Sequence, residues 1–347
     1  MLIQLQKDNF IPLYRRLTEF YQHKILNQDY LPDQRIDSIS RIMDRHGVSR
    51  ETAKLVLKQL IADGLVVSKA GKGTFINSQR TLKKIWGMIV PFYSSNIEQL
   101  ISCLQEEAKI RGRELVYFFD YNNAEEEKQL VRTMILEGYE AIIVVPNFNE
   151  MTTSEFYRKL MPGGSKVMLV DNTMAGSYFR YVIQSYDLGV KRALDYLVLQ
   201  GDGNFLLVKN EIWKGRNLLH EVMENTFRKL IEEQYPSRRL FVLSRVNDLN
   251  IDYLLNNGID GILCCSDLDA IRVVGRLKLW NVEIQKTVSV VSYGDTELTQ
   301  FFDPPITAVN CKYDEMAKQT AKLLDEDLEN GLTEQYVIQP ELVIRNT

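Results

Sequence analysis

The sequence predicts an α/β protein in two parts, with a winged helix-turn-helix at residues 1–77, a short linker at 78–84, and a body with parallel sheets at 85–347. Three observations carry this prediction. Residues 47–75 read as a capped helix followed at once by a glycine-bounded hairpin, and from Ile85 onward apolar runs alternate with amphipathic helices. Charge is also unevenly divided: residues 1–84 hold 15 Lys+Arg against 8 Asp+Glu, leaving 27 against 38 for the rest of the chain. A basic module therefore precedes an acidic body, which suits phosphate contacts in the smaller part.

In the first part, Pro12 is placed at a helix N1 position, and Leu13, Leu17, Phe20, Tyr21 and Ile25 repeat behind it at helical spacing. Tyr30–Gln34 reads as a turn. Ser38 can cap a short helix carrying Ile39, Ile42 and Met43, which His46-Gly47 ends. Ser49 caps the next helix, and Glu51 puts negative charge in its first turn, where the helix dipole favours it. Ala53, Val56, Leu57, Leu60 and Ile61 form its apolar stripe, while Arg50, Lys54 and Lys58 form a basic one. Gly64 supplies a left-handed helix end, Leu65-Val66-Val67 begins a strand, and Gly71-Lys72-Gly73 turns the hairpin. These are the parts of a winged helix-turn-helix, in which one helix enters the major groove.

The second part supplies strands at Ile85–Val90, Leu115–Phe119, Ala141–Val145, Val167–Val170, Phe205–Val208, Gly261–Cys264 and Val288–Val291. Continuous apolar runs of this kind belong to buried parallel strands. Ligands of open α/β sheets bind beyond the carboxyl ends of the strands, which selects candidate residues. They are Phe92, Tyr93, Ser94 and Asn96, then Tyr121, Asn147 and Asp171; further on come Asn210 and Trp213, Ser266 and Asp267, and Tyr293 and Asp295. Carboxylates and amides bind adjacent hydroxyls, and aromatic faces cover the C–H surface of a ring, so this is the chemistry of a sugar site.

Other classes find little support. No run reaches the roughly 18 apolar residues that span a bilayer, and the N-terminus lacks signal-peptide character, so a cytoplasmic protein is expected. Cys103, Cys264, Cys265 and Cys311 lack metal-ligand spacing and read as reduced core residues; neither metal nor cofactor is expected. His23, His46 and His220 are scattered, and no P-loop, Gly-x-Ser-x-Gly or His-Glu-x-x-His motif occurs. The competing reading is an α/β enzyme acting on a sugar or another small polar metabolite, with a fused DNA-binding head.

Residues 10–77 resemble the GntR family of bacterial transcription regulators, through Pro12-Leu13-Tyr14, Gly47–Thr52, Asp63–Val66 and Gly71–Phe75. The resemblance implies DNA contacts at Arg50, Thr52, Gly71 and Gly73, with Lys54 where an arginine is usual. The family's Leu-Pro-Ser-x-Arg appears as Ile36-Asp37-Ser38-Ile39-Ser40, so its arginine is missing, and Arg41 or Arg35 is the candidate to replace it. Ser38, Ser49, Lys58 and Lys72 complete the expected DNA-binding set.

From about residue 85, the chain resembles the effector domain of LacI-type repressors, through Cys265–Ala270, Val290–Asp295, Pro304–Val309 and Pro340–Arg345. This implies a two-lobed, periplasmic-binding-protein-like body, with the chain crossing between lobes near Ile183, Lys312 and Pro340. Gly294 replaces an aspartate that commonly binds ligand, Ser266 replaces an asparagine, and Ser185 stands where an aspartate is usual. Together the resemblances imply a ligand-controlled repressor of the arabinose-repressor-like arrangement. It would bind double-stranded operator DNA as a homodimer, with a sugar as effector and no membrane partner; few arginines stand among the candidate residues, which points to an unphosphorylated sugar.

Overall fold

The structure is a computed structural model that describes residues 12–26, 29–31, 33–77, 81–146, 156–157, 165–172, 180–209, 218–326 and 335–347. The chain divides into two compact units. One comprises Met1–Ile89, Ala108–Met168 and Met174–Phe179; the other comprises Val90–Glu107, Leu169–Thr173 and Arg180–Thr347.

The first unit begins with α1 (Leu13–Leu26), α2 (Ile39–His46) and α3 (Arg50–Ala62), followed by the hairpin β1 (Val66–Lys69) and β2 (Gly73–Ile76). Pro12 lies just before the first helical residue and accepts from the Arg16 amide, one position earlier than the N1 site expected. Ser38 and Ser49 cap α2 and α3 by accepting from the Arg41 and Thr52 amides at 3.3 and 3.2 Å. Leu17, Tyr21, Ile42, Ala53, Val56 and Leu60 interlock as the core. Ile61, expected on that apolar stripe, is 43% exposed; the buried face is narrower and stops at Leu60. Gly64 takes φ +68°, and the Leu65 amide reaches back to the Leu60 carbonyl, closing the helix as the left-handed residue requires.

The wing gains a short antiparallel bridge from Arg35, just after the turn expected at Tyr30–Gln34. The Ile36 amide donates to the Thr74 carbonyl at 3.0 Å, and the Ile76 amide to that of Gln34 at 2.9 Å, so residues 34–36 lie antiparallel against β2. Asp37 follows, where a proline is usual in the resembled family. It is buried but satisfied, because Tyr21 Oη donates to Asp37 Oδ2 at 2.9 Å and Arg45 forms an ion pair with the same oxygen.

The same unit continues into β3 (Lys83–Val90), β4 (Glu114–Phe119), α5 (Ala124–Glu137) and β5 (Tyr139–Val144). The order is β4-β3-β5, with β5 parallel to β3 and β4 at the sheet edge. Tyr117, Phe119 and Tyr121 form an aromatic ladder along that edge, with ring centroids 5.9 and 6.2 Å apart.

The second unit includes most of α4 (Ser95–Ile110), the end of β6 (Lys166–Asp171), β7 (Arg180–Gln184), α6 (Tyr186–Gln200), β8 (Asn204–Val208), α7 (Leu218–Gln234) and β9 (Leu240–Leu243). It then runs through α8 (Ile251–Asn256), β10 (Ile259–Cys264), α9 (Asp267–Leu279), β11 (Ser289–Gly294), α10 (Glu297–Gln300), β12 (Thr307–Asn310), α11 (Tyr313–Asp325), β13 (Gln335–Ile338) and β14 (Glu341–Val343). One six-stranded sheet has the order β14-β12-β11-β10-β8-β9, parallel except for β14. A second strip pairs β13 with β7 in parallel. The chain passes between strip and sheet after β7, after β12 and after β13, at the crossings expected near Ile183, Lys312 and Pro340. Strands β7, β9, β12, β13 and β14 are too short to stand out as apolar runs, and all were missing from the expected strand set.

Candidate DNA-binding face and effector site

The basic residues of the head differ in their freedom to meet phosphate. Lys54 is held by Glu51 at 2.9 Å, Arg45 is spent on Asp37, and Lys69 lies over the Phe75 ring at 5.0 Å. Among the described residues, Arg35, Arg41, Arg50, Lys58 and Lys72 are exposed and form no ion pair, although Arg50 feels the charge of the neighbouring Glu51. Arg50 and Lys58 lie on α3, whose Thr52 hydroxyl is 2.9 Å from Ser49 Oγ. Lys72 sits at the wing tip between Gly71 and Gly73, with φ of +67° and +117°. An open groove of about 540 Å³ runs between wing and helices, with Arg35, Ser38, Ser40, Arg50, Gly73 and Thr74 on its walls. Desolvation and the nearby Arg45 charge lower the His46 pKa, so this ring stays neutral against Tyr21 Oη at 3.2 Å.

In the second unit a buried polar network lies at the carboxyl ends of β6 and β11. Asp171, at φ +62°, accepts from Gln184 Nε2 at 2.6 Å and from Tyr186 Oη at 3.2 Å. Tyr293 Oη donates to Gln184 Oε1 at 3.2 Å, and its ring stacks on that of Tyr186 with centroids 5.7 Å apart. Burial raises the pKa of Asp171, and raises those of Tyr186 and Tyr293 well above the usual phenol range. Gly189 makes room for this ring, because a Cβ there would stand 2.3 Å from Tyr293 Oη. Gln184 and Tyr186 were absent from the expected set; their signal is the polar Gln184-Ser185-Tyr186 between an apolar strand and a helix.

Asp267, one of the candidate ligand residues, is engaged within the protein. Its Oδ2 accepts from the Thr296 amide at 2.7 Å and from Thr296 Oγ1 at 2.6 Å, and its Oδ1 accepts from Ser292 Oγ and the Asp295 amide. A carboxylate so occupied holds loop 292–296 and has little left for a ligand. Asp295 is likewise turned inward, with Asn310 Nδ2 on Oδ2 at 2.8 Å and Arg345 in an ion pair with Oδ1 at 2.6 Å. Ser266 caps α9, accepting from the Asp269 amide at 3.3 Å. Asn96 Nδ2 donates to the Tyr293 carbonyl at 3.4 Å.

Phe92 is half-buried, Tyr93 is exposed and bonded to Glu98, and Ser94 Oγ accepts from the Ile97 amide at the start of α4. Tyr121 belongs to the first unit and is exposed. Asn147, Asn210 and Trp213 lie outside the described residues. Burial raises the pKa of Cys264, Cys265 and Cys311, so these thiols stay protonated. Among the described residues no group of His, Cys, Asp and Glu could hold a metal ion, and no helix is long and apolar enough to cross a membrane.

Residues 13–76 match the bacterial regulatory proteins of the gntR family, and residues 208–347 match the periplasmic binding protein-like domain. The chain is a GntR-type head on a periplasmic-binding-protein-like body. Similarity to two relatives extends over nearly the whole chain. The head and body together are 23% identical to an arabinose metabolism transcriptional repressor of Halalkalibacterium halodurans, over 96% of each chain. A repressor of the same name from Geobacillus stearothermophilus is 18% identical over 98% of this chain and 99% of its own. Among solved structures, the transcriptional regulator CelR in complex with cellobiose superposes with a TM-score of 0.62 at 15% identity, covering 89% of this chain and 94% of that one. A LacI-type regulator from Alkaliphilus metalliredigens complexed with D-xylulofuranose gives 0.62 at 19% identity, covering 76% of this chain and 99% of its own.

Proposed function

We propose that this GntR-type chain is a ligand-controlled transcription regulator, a repressor of carbohydrate-utilisation genes that acts as a cytoplasmic homodimer and performs no catalysis. The observation that carries the reading is the division of charge on the head. Arg50 and Lys58 on the capped α3, and Lys72 on the wing, are free cations on the elements that enter or flank a groove of DNA. The names of the full-length relatives support the repressor role, and sugars in the complexes of similar fold support the effector class.

In this reading the effector site lies in the second unit. Asp171, Gln184 and Tyr293 form a rigid floor, while Asn96, Tyr186, Phe92 and Ser266, each partly exposed, make the contacts. Floors of hydrogen-bonded groups orient the residues above them without rearranging. The effector is an unphosphorylated sugar, because this set offers amides, hydroxyls and aromatic faces and contains no arginine. Two copies read the two halves of a near-palindromic operator, and the aromatic edge at β4 is an exposed surface suited to burial between them. An effector that distinguishes two states of the dimer by roughly 1–3 kcal/mol changes operator affinity about 5- to 150-fold.

A thermal-shift screen of the full chain against mono- and disaccharides, sugar phosphates and nucleosides tests the effector half. A sugar at about 100 times its dissociation constant adds roughly 2.7 kcal/mol and raises the melting temperature. The DNA half is tested by Arg50→Ala, which should lose operator affinity while keeping the sugar shift. A phosphate-only response would overturn the effector class, and unchanged operator binding by Arg50→Ala would overturn the placement of the recognition helix.

A further inference from the structure

The groove between wing and recognition helix contains Arg35, one of the two candidates for the arginine that the family motif lacks here. Arg35 is anchored at its backbone, since residues 34–36 pair with β2 and the Arg35–Phe75 bridge fixes its register at the root of the wing. Its side chain crosses directly over Gly73: a Cβ on that glycine would stand 2.6 Å from Arg35 Nε and 3.1 Å from Cζ. Gly73 is thus required twice, by its φ of +117° and by the guanidinium above it. Arg35 is exposed, has no carboxylate partner among the described residues, and shares the groove with Arg50. The carboxylates nearest in sequence are used elsewhere or lie outside the groove. Asp37 is turned inward to Tyr21 and Arg45, and Asp33 is absent from the groove lining.

We propose that Arg35 and the wing root form a binding site for one backbone phosphate of duplex DNA, beside the base-reading face of α3. The inference rests on the head being a DNA-binding module, as argued above. A phosphate is favoured over a base edge because of where Arg35 stands. The stripe of Arg50, Lys54 and Lys58 occupies α3 itself, whereas Arg35 projects from the strand at the junction with the wing. Elements flanking a recognition helix meet the sugar-phosphate backbone, and such contacts position the protein without reading sequence. A guanidinium packed edge-on against a glycine keeps a fixed direction, so its remaining donors are pre-oriented for phosphate oxygens.

The test uses the full-length protein and two probes: a random-sequence duplex of about 30 base pairs, long enough for sequence-independent binding, and a duplex enriched by the wild-type protein from a random library. Binding is followed by fluorescence anisotropy over a salt series for wild type, Arg35→Ala, Arg35→Gln, Arg35→Lys and Arg50→Ala. The expected result is that Arg35→Ala and Arg35→Gln weaken both probes by the same factor and reduce the slope of log K against log salt by about 0.9, the value for one phosphate contact, while Arg35→Lys keeps the slope. Arg35→Gln keeps a polar side chain that reaches to the position of Nε, so it reports the lost charge if Arg35→Ala unfolds the wing. An unchanged slope in both neutral variants, or a loss confined to the enriched duplex, overturns the phosphate site. If Arg50→Ala still weakens the enriched duplex in that case, the DNA-binding reading survives and only this inference falls.

Discussion

Asn96 occupies the space that Gly294 leaves open: Asn96 Oδ1 and Asp267 Oδ1 each lie 2.6 Å from where a Cβ on Gly294 would stand. The glycine at this position, where related bodies commonly present an aspartate, is therefore a steric requirement of this chain. Gly294→Ala should destabilise the protein by about 1–3 kcal/mol, the usual range for overpacking a filled site. Asp267 cannot yield without breaking its bonds to Thr296 and Ser292. Urea unfolding measures the loss, and a Gly294→Ala variant as stable as wild type would show that loop 292–296 is softer than its hydrogen bonds imply.

The Asp267 carboxylate itself is the clamp of that loop. Removing it in Asp267→Ala strands the Thr296 amide and hydroxyl, both buried, along with the Ser292 hydroxyl. Unsatisfied buried donors cost about 1–3 kcal/mol each, so the expected loss is at the upper end of single-residue effects. Asp267→Asn retains an acceptor and should lose less. The ordering of the two variants in chemical denaturation is the readout; equal losses would point to charge, rather than donor satisfaction, as the larger contribution.

Much of the architecture was legible because it is written in periodicity. The caps Ser38 and Ser49, the Gly64 helix end and the long apolar strands each follow from a local rule, and each appears where that rule places it. The site was harder to read. Asp267 and Asp295 are candidate ligand residues because they follow strands, but that position also suits a carboxylate that gathers loop amides, and their hydrogen bonds to Thr296, Ser292 and Asn310 are invisible in the sequence. Gln184 and Tyr186 were missed because their value lies in contacts with Asp171 and Tyr293, across sequence separations that no pattern encodes. Arg35 was one of two candidates for the family's missing arginine, and its place at the wing root came only from its bridge to Phe75.

Asp120, at the end of β4, is fully buried; its Oδ1 accepts from the Asn122 amide at 2.8 Å, while its Oδ2 has no hydrogen-bond partner. Burial pushes its pKa up to about 7. A carboxyl whose folded pKa exceeds its unfolded value binds more protons in the folded state, so its contribution to stability falls as pH rises between about 4 and 7 and the full penalty remains above that window. Asp120→Asn removes the charge and keeps the acceptor for Asn122. It should gain on the order of 1–3 kcal/mol at pH 8 and little at pH 4. Denaturant midpoints at the two pH values check this, and a gain independent of pH would rule out titration of Asp120 as its source.

On the DNA side, Glu51 is set against the basic stripe of α3, where it holds Lys54 at 2.9 Å. Its pKa is lowered chiefly by the hydrogen bond from Lys54, so at neutral pH it is ionised and masks that cation. Glu51→Gln should free Lys54 and remove a charge that repels phosphate. The expected outcome is tighter binding to a random-sequence duplex at low salt, with the log K against log salt slope steeper by up to about 0.9. The same change should leave the sugar-induced thermal shift untouched, since Glu51 belongs to the head and the proposed effector residues belong to the second unit. If the slope stays at its wild-type value, Lys54 already reaches phosphate with Glu51 in place, and the ion pair is exchanged on binding rather than restraining it.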